Sequence, residues 1–186
     1  MSLFRWFLPI TLVAATTPLA EASPGAWSST VEGLRARLVT TPTVDASKRV
    51  QVEVWLEIEN VSDTDGGIPL PWGYVGDMLQ FVVEDDAGKA VTGAGVGGSY
   101  ASGAPYVVAL PVGATLRVPV SKGAYEYPQA GKIYFRPLTF QAWDVPAKHP
   151  KWTLRGKLSP HTLDKGTKAG SRAWTKPIEL PKVELP

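Results

Sequence analysis

Cysteine is absent from the 186 residues. No disulfide, thiolate metal site, cysteine nucleophile or cysteine-linked lipid can form, so the fold rests on packing alone. Histidine occurs only at His149 and His161. A zinc site needs three or four ligands, and two separated histidines read instead as solvated loop residues. An excess of one charge is missing too: 19 Lys and Arg against 17 Asp and Glu leave a net +2. Nucleic-acid binding needs a concentrated basic face, so nucleic acid is excluded as the main partner. No Gly-x-Ser-x-Gly elbow, His-Glu-x-x-His or P-loop is present. With no such motif the chain reads as non-catalytic, and no cofactor is expected.

What is present begins with an export signal over residues 1–22. Arg5 supplies the positive start, and Trp6, Phe7, Leu8, Ile10, Leu12, Val13, Ala14 and Ala15 form a short apolar stretch. Ala20-Glu21-Ala22 places small residues at the two positions a signal peptidase reads. The stretch is too short for a membrane anchor, and Pro9 and Pro18 interrupt or flank it. No later run is apolar enough to span a bilayer, so stable membrane insertion is not expected after cleavage. The expected location is secreted or periplasmic, and the absence of cysteine fits a bacterial origin.

Residues 23–186 read as one all-β domain. Val50, Val52, Val54, Leu56 and Ile58 alternate with Gln51, Glu53, Trp55, Glu57 and Glu59. That period marks a strand with one buried and one wet face. Leu34, Ala36 and Leu38 alternate with Arg35 and Arg37. Pairing the two strands sets basic side chains against acidic ones on the outer face, which helps fix register. Further inward sets are Leu79, Phe81 and Val83; Leu116, Val118 and Val120; Ile133 and Phe135; Leu138 and Phe140; Trp152, Leu154 and Leu158; and Ile178 and Leu180. Pro119 places its strand at an edge or a bulge. No segment has the caps and apolar stripe of a helix. Residues 159–171 are polar and read as a long mobile loop.

Val54-Trp55-Leu56-Glu57-Ile58-Glu59-Asn60-Val61-Ser62-Asp63, followed by Ile68-Pro69-Leu70, resembles a strand and turn of bacterial secreted immunoglobulin-like sandwich domains. The segment from Asp77 to Val91 is similar to their next hairpin, Leu110–Leu116 to the turn after it and Ala130–Tyr134 to a late strand. The order of elements is also similar to that of the bacterial intracellular proteinase-inhibitor family. The resemblance implies a single antiparallel immunoglobulin-like β-sandwich of roughly seven to nine strands, and it carries over no inhibitory residue.

Four motifs have competing readings. Gly93-Ala94-Gly95-Val96-Gly97-Gly98 matches a dinucleotide fingerprint in letters only, because no helix follows to hold a pyrophosphate. Asn60, the only asparagine, opens an Asn-Val-Ser glycosylation triplet. Its side chain is better suited to organising a turn. Asp63, Asp65, Asp85 and Asp86 offer oxygen ligands for calcium, but the first cluster lacks the later glutamate of a calcium loop, and all four read as solvated turn carboxylates. The aromatics are the strongest binding candidates. Trp72 and Tyr74 lie in the loop Pro71-Trp72-Gly73-Tyr74, and Trp55 falls on the wet face of its strand. Such side chains suit sugar stacking or a protein interface.

The function expected is an exported, non-catalytic interaction module whose partner is a protein or a glycan. A proteinase inhibitor presenting one loop and a carbohydrate-binding domain using the aromatics are the alternatives. Export predicts that the mature chain starts at Ser23. Terminal sequencing of protein from the periplasm or medium checks this, and an intact Met1 there refutes it.

Overall fold

The structure, a computed structural model, describes residues 22–44, 50–70, 78–95, 106–121, 131–135, 141–148, 151–160 and 172–185. Among them there is no α-helix, and the chain is all-β. The strands are β1 (Ser23–Pro24), β2 (Leu34–Val44), β3 (Val50–Asn60), β4 (Gly66–Leu70), β5 (Leu79–Glu84), β6 (Ala90–Val91), β7 (Ala94–Gly95), β8 (Tyr106–Leu110), β9 (Thr115–Pro119), β10 (Lys132–Phe135), β11 (Gln141–Pro146), β12 (Trp152–Leu158), β13 (Arg172–Ala173) and β14 (Ile178–Leu185). No described helix is long and apolar enough to cross a membrane.

Three sheets form. The largest runs β1-β2-β3-β10-β11-β7, with β9 also on β3; a second runs β14-β12-β5-β6; a third runs β13-β4-β8. The antiparallel expectation is corrected at two places. β10 pairs parallel to β3 through Ile133↔Val50 and Tyr134↔Gln51, and β13 pairs parallel to β4. The reason lies in the length of β3. β9 occupies its second edge from Trp55 to Glu59, leaving the start of the strand free for β10. Alternation reports which face is buried and says nothing about a neighbour's direction. The expected seven to nine strands fall short of the fourteen described, because two-residue strands carry no readable period.

β2 and β3 pair from Leu34↔Asn60 to Val44↔Val50. Inward, Leu34, Ala36, Leu38, Val52, Val54, Leu56 and Ile58 are all buried. They join one cluster with Phe81 and Leu154 of the second sheet and Ile68 and Leu110 of the third. Phe81 meets Phe135 edge-on at 5.7 Å, tying the first two sheets together. Trp143 packs flat on Phe135 and donates its indole N–H to Val91 O at 2.9 Å.

Gly93 explains itself here. A Cβ at that position would lie 2.8 Å from the Trp143 indole. This glycine permits close packing of a ring.

β14 runs further than the alternation implied. Its pairing with β12 shifts between Leu154↔Val183 and Gly156↔Leu180, so β14 carries one extra residue there. This bulge absorbs Pro181 and returns Val183 and Leu185 to the core. It also delivers Lys182 to the buried Glu84, whose Oε2 lies 2.5 Å from Lys182 Nζ while Oε1 lies 2.5 Å from Arg155 Nε. Hydrogen bonds from Lys182 and then Arg155 hold the Glu84 carboxyl below its ordinary range against the pull of burial.

On the outer face, Arg35 reaches Glu59 at 2.7 Å and Arg37 reaches Glu57 at 2.7 Å. Glu57 was expected to be exposed. Its side chain keeps only 12% exposure, because Arg117 of β9 closes on its other oxygen at 3.7 Å. Leu56→Ala should cost about 2–5 kcal/mol, and Glu57→Ala about 1 kcal/mol, above the roughly half a kcal/mol or less of a fully solvated face. A urea titration distinguishes them; equal losses would mean that the inside and outside of β3 are misassigned.

Candidate functional site

A polar cleft lies where the start of β2, the end of β3 and the start of β4 meet. Its first wall is the turn before β2. Val31 and Leu34 exchange backbone hydrogen bonds of 2.7 and 3.0 Å across Glu32 and Gly33. Both central residues have positive φ, 52° and 84°, as in a type I′ turn. Gly33 is needed twice: its φ disfavours a side chain, and a Cβ would lie 2.6 Å from Ser62 Cβ. Glutamate is an unusual occupant of the other position, where asparagine or aspartate is the common choice.

The Glu32 carboxylate accounts for the exception. It accepts from Thr175 N at 2.6 Å, Thr175 Oγ1 at 2.9 Å and Lys176 N at 3.3 Å. The Thr175 amide is the main cause that holds its carboxyl below the ordinary range. A turn preference has been traded for a contact made 143 residues along the chain.

The second wall is organised by Asn60, which is fully buried. Its Nδ2 donates to Thr64 O and Leu110 O, each at 2.9 Å. Its Oδ1 accepts from Ser62 N at 3.0 Å and Ser62 Oγ at 2.6 Å. All four hydrogen-bonding positions of the amide are used. The backbone adds Val61 N to Gly33 O and Gly113 N to Asn60 O, both 2.9 Å. Asp65 Oδ1 accepts from Val112 N at 3.2 Å, locking the turn to the β8–β9 connection. The turn expected of Asn60 is thus the joint of three strand ends.

Trp174 forms the third wall. Its backbone N–H donates to Gly67 O at 3.2 Å, and its side chain is 3% exposed. The indole Nε1 is buried with no hydrogen-bond partner.

The cleft holds about 190 Å³, and Glu32, Asp63 and Asp65 line it, with no lysine or arginine among the described lining residues. Carboxylates and backbone carbonyls make it a surface for N–H and O–H donors, cationic ones above all. Among the described residues no three histidines, aspartates or glutamates come together as metal ligands. Asp85 serves its own turn, accepting from Ala87 N at 3.0 Å and Lys89 N at 2.8 Å.

Of the aromatic candidates, Trp55 lies half-buried on the outer face between Val39 and Pro119. The Arg117 guanidinium sits 4.8 Å from its ring centroid. Arg35 and Arg37 lie over Trp27 in the same way, at 4.7 and 4.3 Å. Cation–π contacts therefore already occupy these rings, which weakens them as stacking platforms. Trp72, Tyr74, His149 and His161 fall outside the described residues. Of the loop expected at 159–171, only Ser159 and Pro160 are described.

Glu32, Gly33 and Trp174 were not legible as a site. The one local signal was a Glu-Gly pair between Val31 and Leu34, which marks a turn but not the distant partner of its carboxylate.

Asn60→Ala should destabilise by about 2–4 kcal/mol, since the buried Leu110 carbonyl and the part-buried Thr64 carbonyl lose their donor. Ser62→Ala, which removes one hydroxyl, should cost about 1 kcal/mol. Thermal and urea unfolding of the pair checks this, and a loss at Asn60 no larger than that at Ser62 would refute the joint. No family model matches the chain, nor does any curated protein or solved structure.

Proposed function

We propose that this chain is an exported, non-catalytic interaction module with an immunoglobulin-like β-sandwich frame. In this reading it meets a protein partner at the Asn60 corner and receives a basic group of that partner in the acidic cleft. The observation that carries it is the set of three carboxylates, Glu32, Asp63 and Asp65, on turns gathered around the buried Asn60 amide, with no lysine or arginine among the described lining residues. A fixed site loses little conformational entropy on binding, and its charge steers a basic partner. The outer face of β2, β3 and β9 suits a supporting role, because its arginines are already engaged with glutamates and tryptophans.

A photo-crosslinking residue at exposed Thr64 tests the site, with exposed Asp86 as the control position. The expected result is a salt-sensitive adduct with an envelope or secreted protein at Thr64 alone, lost on Asp63→Lys without a change in melting temperature. A glycan array and a protease panel run beside it. Glycan binding insensitive to Asp63→Lys would favour the carbohydrate reading, and protease inhibition insensitive to it would favour the inhibitor reading. Either result overturns the present one.

A further inference from the structure

We propose that residues 172–176 form a strap that closes one side of the cleft and opens as a unit when the Glu32 carboxylate lets go. The inference deepens the function proposed above, since the cleft that the strap gates is the same one.

Four observations support it. The strap has little ladder of its own: β13 pairs with β4 over two residues, Arg172↔Gly66 and Ala173↔Gly67, followed by Trp174 N to Gly67 O at 3.2 Å. The remaining described hydrogen bonds to it run to one side chain, with Thr175 N, Thr175 Oγ1 and Lys176 N all donating to Glu32. The closed arrangement carries two internal penalties. Glu32 holds a φ of 52°, a conformation that a side chain disfavours. Trp174 keeps its indole N–H buried and unpartnered, which forfeits the hydrogen bond that water would supply. Finally, the closed cleft of about 190 Å³ lies below the roughly 300–1,000 Å³ usual for ligand pockets. Opening the strap removes one wall, enlarges the cleft and presents the Trp174 ring beside the carboxylates. An aromatic face next to carboxylates is the pairing that an ammonium or guanidinium group prefers.

The strap is therefore held shut by the burial of Trp174 in the core, a short ladder on β4 and one charge-assisted clasp, working against a strained turn and an orphaned donor. Such local openings occur below the free energy of global unfolding and are read by hydrogen exchange.

The test uses the whole domain, residues 23–186, labelled with ¹⁵N, without any ligand. Indole and amide exchange is followed by NMR, and the Trp174 indole resonance is assigned with Trp174→Phe. The indoles of Trp143 and Trp152, bonded to Val91 O and Pro146 O at 2.9 Å each, serve as internal references. Glu32→Gln should speed exchange of the Trp174 indole and the Thr175 amide by about tenfold or more, the scale of a lost charge-assisted bond, with both references unchanged. Thr175→Ala, which removes the hydroxyl donor and keeps the amide, should act in the same direction and less. Unaltered Trp174 exchange in Glu32→Gln overturns the proposal. Equal acceleration of all three indoles also overturns it, because the strap would then open only with the whole domain. Both readouts are independent of any partner, so a failed strap leaves the Thr64 crosslinking result standing, and failed crosslinking leaves the strap standing.

Discussion

The pairing of β2 with β3 is the constraint on which the other strands depend. It runs without interruption from Leu34↔Asn60 to Val44↔Val50, and it is specified on both faces at once. Inside, Leu38 stands opposite Leu56; outside, Arg37 stands opposite Glu57. A slip of one residue would turn the arginines and glutamates into the core and the leucines out to water. With β3 fixed, its second edge offers five residues to β9 and a short remainder to β10, and β10 then carries β11 and β7. In a chain without disulfides this ladder supplies the long-range order that a covalent staple would otherwise provide.

The cleft follows from where that ladder ends. Asn60 is the last residue of β3, and Leu34, its partner, is the first of β2. Chain ends that arrive together must turn in different directions, and their backbone groups need partners. The Asn60 amide supplies three of those partnerships and a fourth to the Ser62 hydroxyl, so the loops around it are fixed without being filled by apolar side chains. A corner built in this way stays polar and concave. The carboxylates of Asp63 and Asp65 stand at its rim because the turn residues that make such corners are those with short polar side chains.

The fold was legible where a long strand buries one face. The alternation over Val50–Glu59, the Arg–Glu pairing and the inward sets at Phe81, Phe135 and Leu154 all correspond to described positions. Strand direction was not legible, since Ile133 has the same inward phase beside a parallel or an antiparallel neighbour. Nor was the length of β14, because the bulge at Pro181–Lys182 breaks the period that would have revealed it. The site was the least legible part. Trp55 could be assigned to an outer face from its neighbours, but the guanidinium over its ring comes from β9, some sixty residues away. Glu32 and Trp174 are joined by a contact that no local window contains.

The position of β12 in the second sheet has a kinetic meaning. It lies between β5, which precedes it by some seventy residues, and β14, which follows it. Neither face of that sheet is complete until β14 has been made, and Val183 and Leu185 are part of the shared core. A nascent chain therefore completes this shared core only when β14 has been added. Pairings of such sequence separation fold slowly and leave apolar edges open in the interval.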